Sequence, residues 1–337
     1  MKHRLSLLAT VVVLAALPFL LPNNFMLDIA IRIAFAAIAA IGLNLLMGFA
    51  GQISIGHAAF VAIGGYGSGI LATRFEWPAL LSIPAAALAS ALVAWLIAKP
   101  ILRLKGHTLT MATLGLGVIV NIVLINEVDW TGGPDGMAVP PLAIGSFALA
   151  KLAHWYVLAA VLLFVAIVLS LNLFASPAGR ALRGLHGSEY AARVVGVDVA
   201  AFKSRVFVAS AVFATISGAL SAHYLAFISP ATASFAHSVE LATMVVLGGM
   251  SSTFGAVLGA ALITMLPQLV GGLHGYEAIV FGLVLMLTMM FMPKGLVPSV
   301  ALRLRNDPHA SPLRAVRCPP GGRSSPRGGP AAKKEVR

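Results

Sequence analysis

Apolar runs of about 20 residues recur along the whole chain, separated by short polar stretches. They cover 5–21, 26–49, 53–71, 79–98, 109–125, 155–174 and 206–228, followed by a broken stretch at 241–270 and a last run at 276–292. Because about 20 helical residues cross the ~30 Å hydrocarbon core of a bilayer, each run predicts a transmembrane helix. The broken stretch crosses twice or is partly re-entrant. We therefore expect an all-α, polytopic integral membrane protein with about eight to ten transmembrane helices.

The composition supports this class and excludes others. Of the 337 residues, 59% are apolar and 10% are charged, whereas soluble domains have roughly 45–50% and about 25%. An ordinary soluble enzyme, a disordered chain and a fibrous repeat are therefore excluded. Cys318 is the only cysteine, which rules out intramolecular disulfides and cysteine-based zinc or iron–sulfur sites. The run at 5–21 is followed by Pro22 instead of a small-residue cleavage site, so it predicts a retained helix and not a signal peptide.

Charge predicts the orientation of the chain. The net charge is +12, from 23 basic and 11 acidic residues, and the cations group at the ends of the apolar runs. They are Lys2 and Arg4, then Lys99, Arg103 and Lys105, then Arg180, Arg183, Arg193, Lys203 and Arg205, and finally Lys294 with the basic tail. Counting the crossings puts these groups on one side, which an excess of Lys and Arg marks as the cytoplasm. The connection at 126–153 carries three acids against one cation and falls outside. Both termini are then cytoplasmic.

Two long connections and a tail divide the chain. We assign 1–25 to the N-terminus and first helix, 26–302 to one membrane domain, and 303–337 to a basic tail that is too polar to bury a core and is expected to be disordered. The outer connection contains a Thr-Gly-Gly-Pro-Asp-Gly sequence at 131–136, which predicts tight turns rather than helix. The inner connection at 175–205 is rich in helix formers and predicts one or two short cytoplasmic helices.

The sequence contains no motif of enzymatic chemistry. It lacks the phosphate-cradling G-x-x-x-x-G-K-[ST] loop, the H-E-x-x-H pair of zinc hydrolases and the G-x-S-x-G elbow of serine hydrolases. The glycines at 65–69 lie inside an apolar run, where close helix packing is favoured over nucleotide binding. We therefore expect no enzymatic activity, no cofactor, no metal site and no nucleic-acid partner.

Small and polar residues interrupt two of the apolar blocks, at 48–57 and at 248–255. Irregular backbone is tolerated at membrane depth only where it faces protein or a water-filled cavity, and paired interruptions in the two halves of a chain are typical of a transport path. For any single glycine, tight helix crossing is an equal alternative. The candidate path residues from this pattern are Gln52, Ser54, His57, Ser251 and Ser252, and Asn121 joins them as a polar residue that approaches mid-membrane depth in the run at 109–125. Among them, the histidine is more typical of packing than of a proton relay.

Few ionisable residues fall within the predicted helices, which bears on the energy source. Asp28 and Arg32 have the spacing of a helical ion pair, and Glu240 and Glu277 lie near predicted ends. A proton-coupled carrier usually buries acids or histidines near mid-membrane, so an external energy source is favoured. The inner segment at 179–196 favours a short helix that docks in a groove of another protein. The alternative is a solvated loop that only sets topology.

Several short motifs carry a resemblance over roughly residues 26–300. They are Gly-Leu-Asn-Leu at 42–45, Gly-Gln-Ile-Ser-Ile-Gly-His-Ala-Ala-Phe at 51–60, Ala-Thr-Leu-Gly at 112–115, the turn sequence at 131–136, Gly-Arg-Ala-Leu at 179–182, Gly248 and Gly249 with Gly255, and Pro-Lys-Gly-Leu at 293–296. Together they resemble the membrane permease subunits of branched-chain amino acid ABC importers. The long outer loop is similar to that of the larger of the two permease types.

This resemblance implies a heterodimer with a second permease, two cytoplasmic ATPase subunits, a periplasmic substrate-binding protein and residence in the bacterial inner membrane. Asn44 and Thr113 join the candidate path residues through these motifs. The ATPase-coupling loop would include Gly179, Arg180, Glu189, Ala191, Ala192 and Gly196. The stretch at 184–188 departs from the charged run usual in the family, and the tail has no counterpart there. Related permeases also move urea, short amides or other amino acids, and an ion-coupled carrier or a channel is the alternative.

Overall fold

The computed structural model describes residues 2–20, 23–102, 104, 106–144, 147–148, 151–187, 189–194, 196–269 and the single positions 282, 283, 286, 290 and 295. Apart from those single positions, the predicted last helix at 276–292 and the tail at 303–337 lie outside the described residues. What the sequence predicts for them stays a prediction.

The described residues form an almost entirely helical fold, as the hydropathy pattern predicts. The helices are α1 (Lys2–Leu20), α2 (Asn24–Asn44, continued by a π-helix at Leu45–Phe49), α3 (Ala58–Arg74), α4 (Ala79–Ile101), α5 (His107–Asn126), α6 (Val128–Thr131), α7 (Leu152–Ala175), α8 (Pro177–Gly187), α9 (Glu189–Val194), α10 (Val199–Leu225), α11 (Phe235–Gly248) and α12 (Thr253–Leu269). The strands are β1 (Met137–Ala138), β2 (Ala143–Ile144), β3 (Phe147–Ala148) and β4 (Phe227–Ile228). Five of the described helices, α2 with its π-helical end, α4, α5, α7 and α10, are long and apolar enough to cross a membrane.

Helix α10 is at the centre, packed against α2, α3 and α4. Glycine brings the backbones together, because a Cβ at Gly64 of α3 would collide with the Thr215 carbonyl oxygen of α10. Hydroxyls then cross-link the helices, as where Ser217 Oγ donates to the Phe35 carbonyl oxygen at 2.7 Å. Close small-residue contacts and such hydrogen bonds hold helices together in lipid, where burial of apolar surface gives little net drive.

Two helix starts differ from the apolar pattern. The run at 53–71 predicts a helix from its first residue, but α3 begins only at Ala58, since residues 51–56 are not helical. Conversely, α10 begins before the apolar run at 206–228, because the Asp198 carboxylate caps it by accepting the Ala201 N–H at 3.1 Å. The predicted ion pair is confirmed: Arg32 Nε lies 2.8 Å from the Asp28 carboxylate.

The broken stretch at 241–270 contains most of α11 and all of α12, joined by a turn at 249–252. These helices run antiparallel, and glycines of each helix lie against the backbone of the other. A Cβ at Gly248 would collide with the Gly255 carbonyl oxygen, and a Cβ at Gly259 would collide with the Met244 carbonyl oxygen. The 14 residues of α11 rise about 21 Å, which is short of the ~30 Å core. The first half of the stretch is therefore too short to cross on its own.

The outer connection forms the tight turns that its composition predicts. Gly132, Gly133 and Gly136 have φ of +77°, +62° and +77°, in the left-handed region that favours glycine. Strand β1 follows at once and pairs antiparallel with β4. One detail differs from the prediction of turns without helix, since α6 forms a single helical turn just before these glycines.

The helices end in two groups. One group, which we call the basic end, comprises the last turn of α4, the first turns of α10, and α8 with α9; its described cations are Lys99, Arg180, Arg183, Arg193, Lys203 and Arg205. The other, the loop end, comprises the last turn of α3 and the outer connection, where the Arg74 guanidinium donates to the Asp129 carbonyl oxygen. Cations that are far apart in sequence thus share one end of the bundle.

Candidate functional site

The two interrupted segments meet at Asn44, the last residue of α2. Its side-chain oxygen accepts the Ser251 N–H at 3.0 Å, and its side-chain nitrogen donates to the Ser252 carbonyl oxygen at 3.1 Å. Ser251 Oγ also donates to the Gly48 carbonyl oxygen. A Cβ at Gly48 would collide with both the Asn44 side chain and the Ser251 backbone. Glycine is therefore required where the two breaks touch.

The segment at 51–57 is a non-helical stretch that separates the π-helical end of α2 from α3. Burial alternates along it: Gly51 and Ile53 are exposed, while Gln52, Ser54 and Gly56 are buried. This is the period of extended backbone, in which alternate side chains point to opposite faces. Gln52 and Ser54 therefore share one inward face, as a pair of path residues would.

Helix α5 holds this segment in place through two threonines. Thr110 Oγ1 donates to the Ile53 carbonyl oxygen, and Thr113 Oγ1 accepts the Ile55 N–H, each at 3.3 Å. Next to them, a Cβ at Gly56 would collide with the Thr113 carbonyl oxygen. The extended backbone thus lies directly on α5, as irregular backbone at membrane depth must lie on protein or water.

Gln52 is the least satisfied polar residue of this region. Its side chain is 3% exposed, and neither its amide oxygen nor its amide nitrogen has a hydrogen-bond partner among the described residues. Leaving a buried polar group unpaired costs about 1–3 kcal/mol, and buried amides in folded proteins are normally paired. An amide with both atoms unpaired marks a place where a polar molecule can bind.

His57 is a cross-link to α10. Ser210 Oγ donates to the Gly42 carbonyl oxygen at 2.6 Å, which leaves the hydroxyl oxygen to accept from His57 Nε2 at 2.8 Å. Nε2 then carries the proton, and Nδ1 is the unpaired acceptor. The ring is fully buried. This geometry supports the packing role over a proton relay.

Asn121 lies apart from the other path candidates. It is on α5, about 12 Å along the axis from Thr113, and its Nδ2 donates to the Pro230 carbonyl oxygen at 2.8 Å. A cavity of about 190 Å³ separates this bond from the extended segment, with Ile55, Gly117 and Ser238 in its lining. Asn44, Ser251 and Ser252 form one group, Gln52, Ser54 and Thr113 a second, and Asn121 belongs to neither.

The inner connection folds as two short helices, α8 and α9. Leu182 and Leu185 of α8 are buried, so α8 packs on the bundle while Arg180 is exposed. Gly179 is buried, and a Cβ there would collide with the carbonyl oxygens at the end of α7. The sharp corner between α7 and α8 explains why residue 179 is glycine. At this corner the Gly179 N–H also donates to Ser176 Oγ at 3.2 Å.

Helix α9 presents residues that sequence reasoning missed. Glu189 is its first residue and Ala191 lies within it, but the Ala192 side chain is only 7% exposed and faces the bundle. Tyr190 and Val194 are 73% and 88% exposed. Their i,i+4 spacing puts them on one face, a signal present in the sequence but hidden by the alanine-rich composition. Gly196 follows with φ +86°, in the left-handed region where glycine commonly ends a helix.

Comparison with known proteins identifies the family. The family model described as "Branched-chain amino acid transport system / permease component" matches residues 25–293. The chain belongs to this family. It is 31% identical over 328 residues to the high-affinity branched-chain amino acid transport system permease protein LivM of Salmonella typhimurium, covering 90% of this chain and 77% of the relative. The chain is also 31% identical over 331 residues to LivM of Escherichia coli, and this match covers 90% of this chain and 78% of the relative.

A more distant relative carries a similar name. The high-affinity branched-chain amino acid transport system permease protein BraD of Pseudomonas aeruginosa is 26% identical over 283 residues, which is 77% of this chain and 91% of the relative. No solved structure matches the chain significantly. As a permease component with several helices able to cross a membrane, this chain is a multi-pass transport subunit.

Proposed function

We propose that the chain is the larger permease subunit of an ABC importer and forms part of the path for branched-chain amino acids. A second permease, two cytoplasmic ATPase subunits and a periplasmic binding protein complete the assembly in the bacterial inner membrane. The names of the relatives support the substrate class. The observation that carries the proposal within the chain is the extended segment at 51–57 with its unpaired Gln52 amide.

The path runs along the inward face of this segment. An amino acid zwitterion needs both donors and acceptors, and the Gln52 amide supplies one of each. Ser54 shares its buried face, and Thr113 of α5 accepts the Ile55 N–H of the same segment. Asn44, Ser251 and Ser252 join the two breaks at the border of the path. Because the Asn44, Gln52, Ser54 and Thr113 side chains are buried, the path is closed in this conformation, and the solute passes when the segment moves away from α5.

The basic end is the cytoplasmic one. The described cations outnumber the acids there, which is the distribution that orients membrane proteins with that side inward. Both termini are then cytoplasmic. This places α8 and α9 where a cytoplasmic ATPase reaches them.

The exposed face of α9 is the ATPase contact. Tyr190 and Val194 offer apolar surface on a short helix, the kind of face that docks in a partner's groove. Arg180 and Glu189 flank it, and Gly196 ends it. Replacing Tyr190 and Val194 together by Ser should leave insertion unchanged and weaken co-purification of the ATPase.

Uptake by the reconstituted complex is the test of the whole proposal. Vesicles that contain this chain, the partner permease and the ATPase subunits should take up leucine only when the binding protein and ATP are both present. A matched complex with an ATPase unable to hydrolyse ATP should be inactive. Uptake driven by an ion gradient without ATP would indicate a secondary carrier, and passive equilibration would indicate a channel; either outcome contradicts the importer.

A further inference from the structure

A cavity of about 850 Å³ lies at the basic end, between the last turns of α4 and the first turns of α10. Four cations line it, namely Lys99, Arg193, Lys203 and Arg205, and none of the described residues in its lining is acidic. Trp95, Leu102 and Val208 form apolar wall. The cavity therefore combines four cationic side chains with an apolar wall.

Two of these cations are positioned by aromatic rings. Lys99 Nζ lies 4.7 Å from the centroid of the Trp95 ring, and the Arg205 guanidinium carbon lies 5.7 Å from that of Phe202. Trp95 is 48% exposed, and its place next to a helix end is typical of tryptophan at a membrane–water interface. The apolar wall continues along the exposed face of α4, where Leu88 and Leu92 are 73% and 59% exposed.

We propose that this cavity binds the headgroup of an anionic phospholipid of the cytoplasmic leaflet, with the phosphodiester between Lys99 and Arg205. Basic pockets between helices on this side of a membrane recognise such headgroups. One acyl chain lies on Trp95 and the outward leucines of α4. An acidic protein segment would use the cations but would leave this lipid-facing wall without a role, so the lipid fits more of the lining. The proposal rests on the orientation given under the proposed function.

Quenching of tryptophan fluorescence tests the proposal on the full-length chain in zwitterionic micelles. Brominated phosphatidylglycerol should quench more strongly than brominated phosphatidylcholine at equal mole fraction, and Trp95→Phe should remove the difference. Replacing Lys99 and Arg205 by Gln should weaken the apparent affinity for phosphatidylglycerol roughly fivefold for each cation removed. Arg74→Gln is the matched control, because Arg74 also lies over a tryptophan, 5.9 Å from the Trp130 centroid, but at the loop end.

Three outcomes would overturn the lipid site. The two brominated lipids quench the unaltered chain equally; the preference survives the Lys99→Gln/Arg205→Gln change; or millimolar inorganic phosphate abolishes the preference, which would mean that the cavity binds free phosphate. Micelles have no sides and the measurement needs no transport. Its failure is therefore separate from a failure of the importer proposal, which the uptake assay detects.

Discussion

The turn at 249–252 and the segment at 51–57 both interrupt apolar helices, and each contains a residue with φ of +66°, Ser251 in one and Gly51 in the other. At the turn, α11 and α12 fold back on each other with glycine against carbonyl, and the Asn44 side chain pairs with the turn's backbone. Along the segment, the chain stays non-helical over several residues and buries an amide that has no hydrogen-bond partner within the described part of the chain.

This difference separates glycines that pack from glycines that open the backbone. At the late break, Gly248 and Gly259 allow two helices to touch, which is a stabilising contact. At the early break, Gly51 has a φ of +66° that lets the backbone leave the helix, and the region keeps an unsatisfied polar group at a cost in stability. Groups that cost stability and persist are typical of functional sites.

The largest effect is expected from crowding the late break. Gly259→Ala places a Cβ against the Met244 carbonyl oxygen, so α11 and α12 must separate. We expect the free energy of unfolding to fall by about 2–3 kcal/mol, measured by thermal denaturation in detergent. Gly115→Ala on α5 is the matched control, because nothing lies within 4 Å of its Cβ position. Equal melting temperatures for the two variants would contradict the packing role.

The second-largest effect is expected from removing the Asn44 side-chain bonds that join the two breaks. Asn44→Leu leaves the Ser251 N–H and the Ser252 carbonyl oxygen without their partner, which costs about 1–3 kcal/mol. Melting temperature and uptake should both fall. The same change at exposed Asn126, whose amide donates only to Ile122 of its own helix at 2.8 Å, should alter neither; a similar loss at both positions would argue against this role of Asn44.

Gln52→Leu should separate stability from function. The substitution removes two unpaired buried atoms, so the free energy of unfolding should stay the same or increase by up to about 1 kcal/mol. The melting temperature should therefore not fall. Uptake should fall about tenfold, the worth of one good hydrogen bond to the solute. The control is Gln268→Leu at an exposed position of α12. Normal uptake by the Gln52 variant would remove this amide from the path.

Exchanging glycine and serine at the two positions with φ of +66° should have unequal costs, and the smallest effect of all is expected at Ser251. Gly51→Ser should cost about 1–2 kcal/mol, since a Cβ is unfavourable in the left-handed region. Ser251→Gly relieves that strain but loses the hydroxyl bond to the Gly48 carbonyl oxygen, so its net change should be within about 0.5 kcal/mol. Paired melting curves measure both. Equal costs at the two positions would mean that the breaks share one role.

Local rules predict much of this fold, and long-range contacts explain what they miss. The apolar runs locate α2, α4, α5 and α7 within a few residues, because hydropathy and helix length are local properties. The Asp28–Arg32 pair follows from spacing alone. The start of α3 at Ala58 does not, because the non-helical form of the residues before it is held by two threonines of α5 that are remote in the chain.

The sequence predicts which residues belong to the candidate site, but not which partners they contact. The sequence indicates which polar residues interrupt the helices, but not that Asn44 would bond the late turn or that Asn121 would pair elsewhere, since these partners are remote in the chain. Likewise the alanine-rich composition of α9 suggests its alanines as the docking residues. The face by which α9 packs on the bundle instead buries Ala192 and exposes Tyr190 and Val194.

The bond between Asn44 and Ser251 spans 207 residues of chain. At about 5–20 residues per second, a ribosome needs roughly 10–40 s to synthesise that distance. During this interval α2 already carries its amide while the acceptor and donor that satisfy it do not yet exist. Chains that stop before the late turn lack the Ser251 N–H and the Ser252 carbonyl oxygen, so the link between α2 and the late turn forms only after synthesis has passed residue 252.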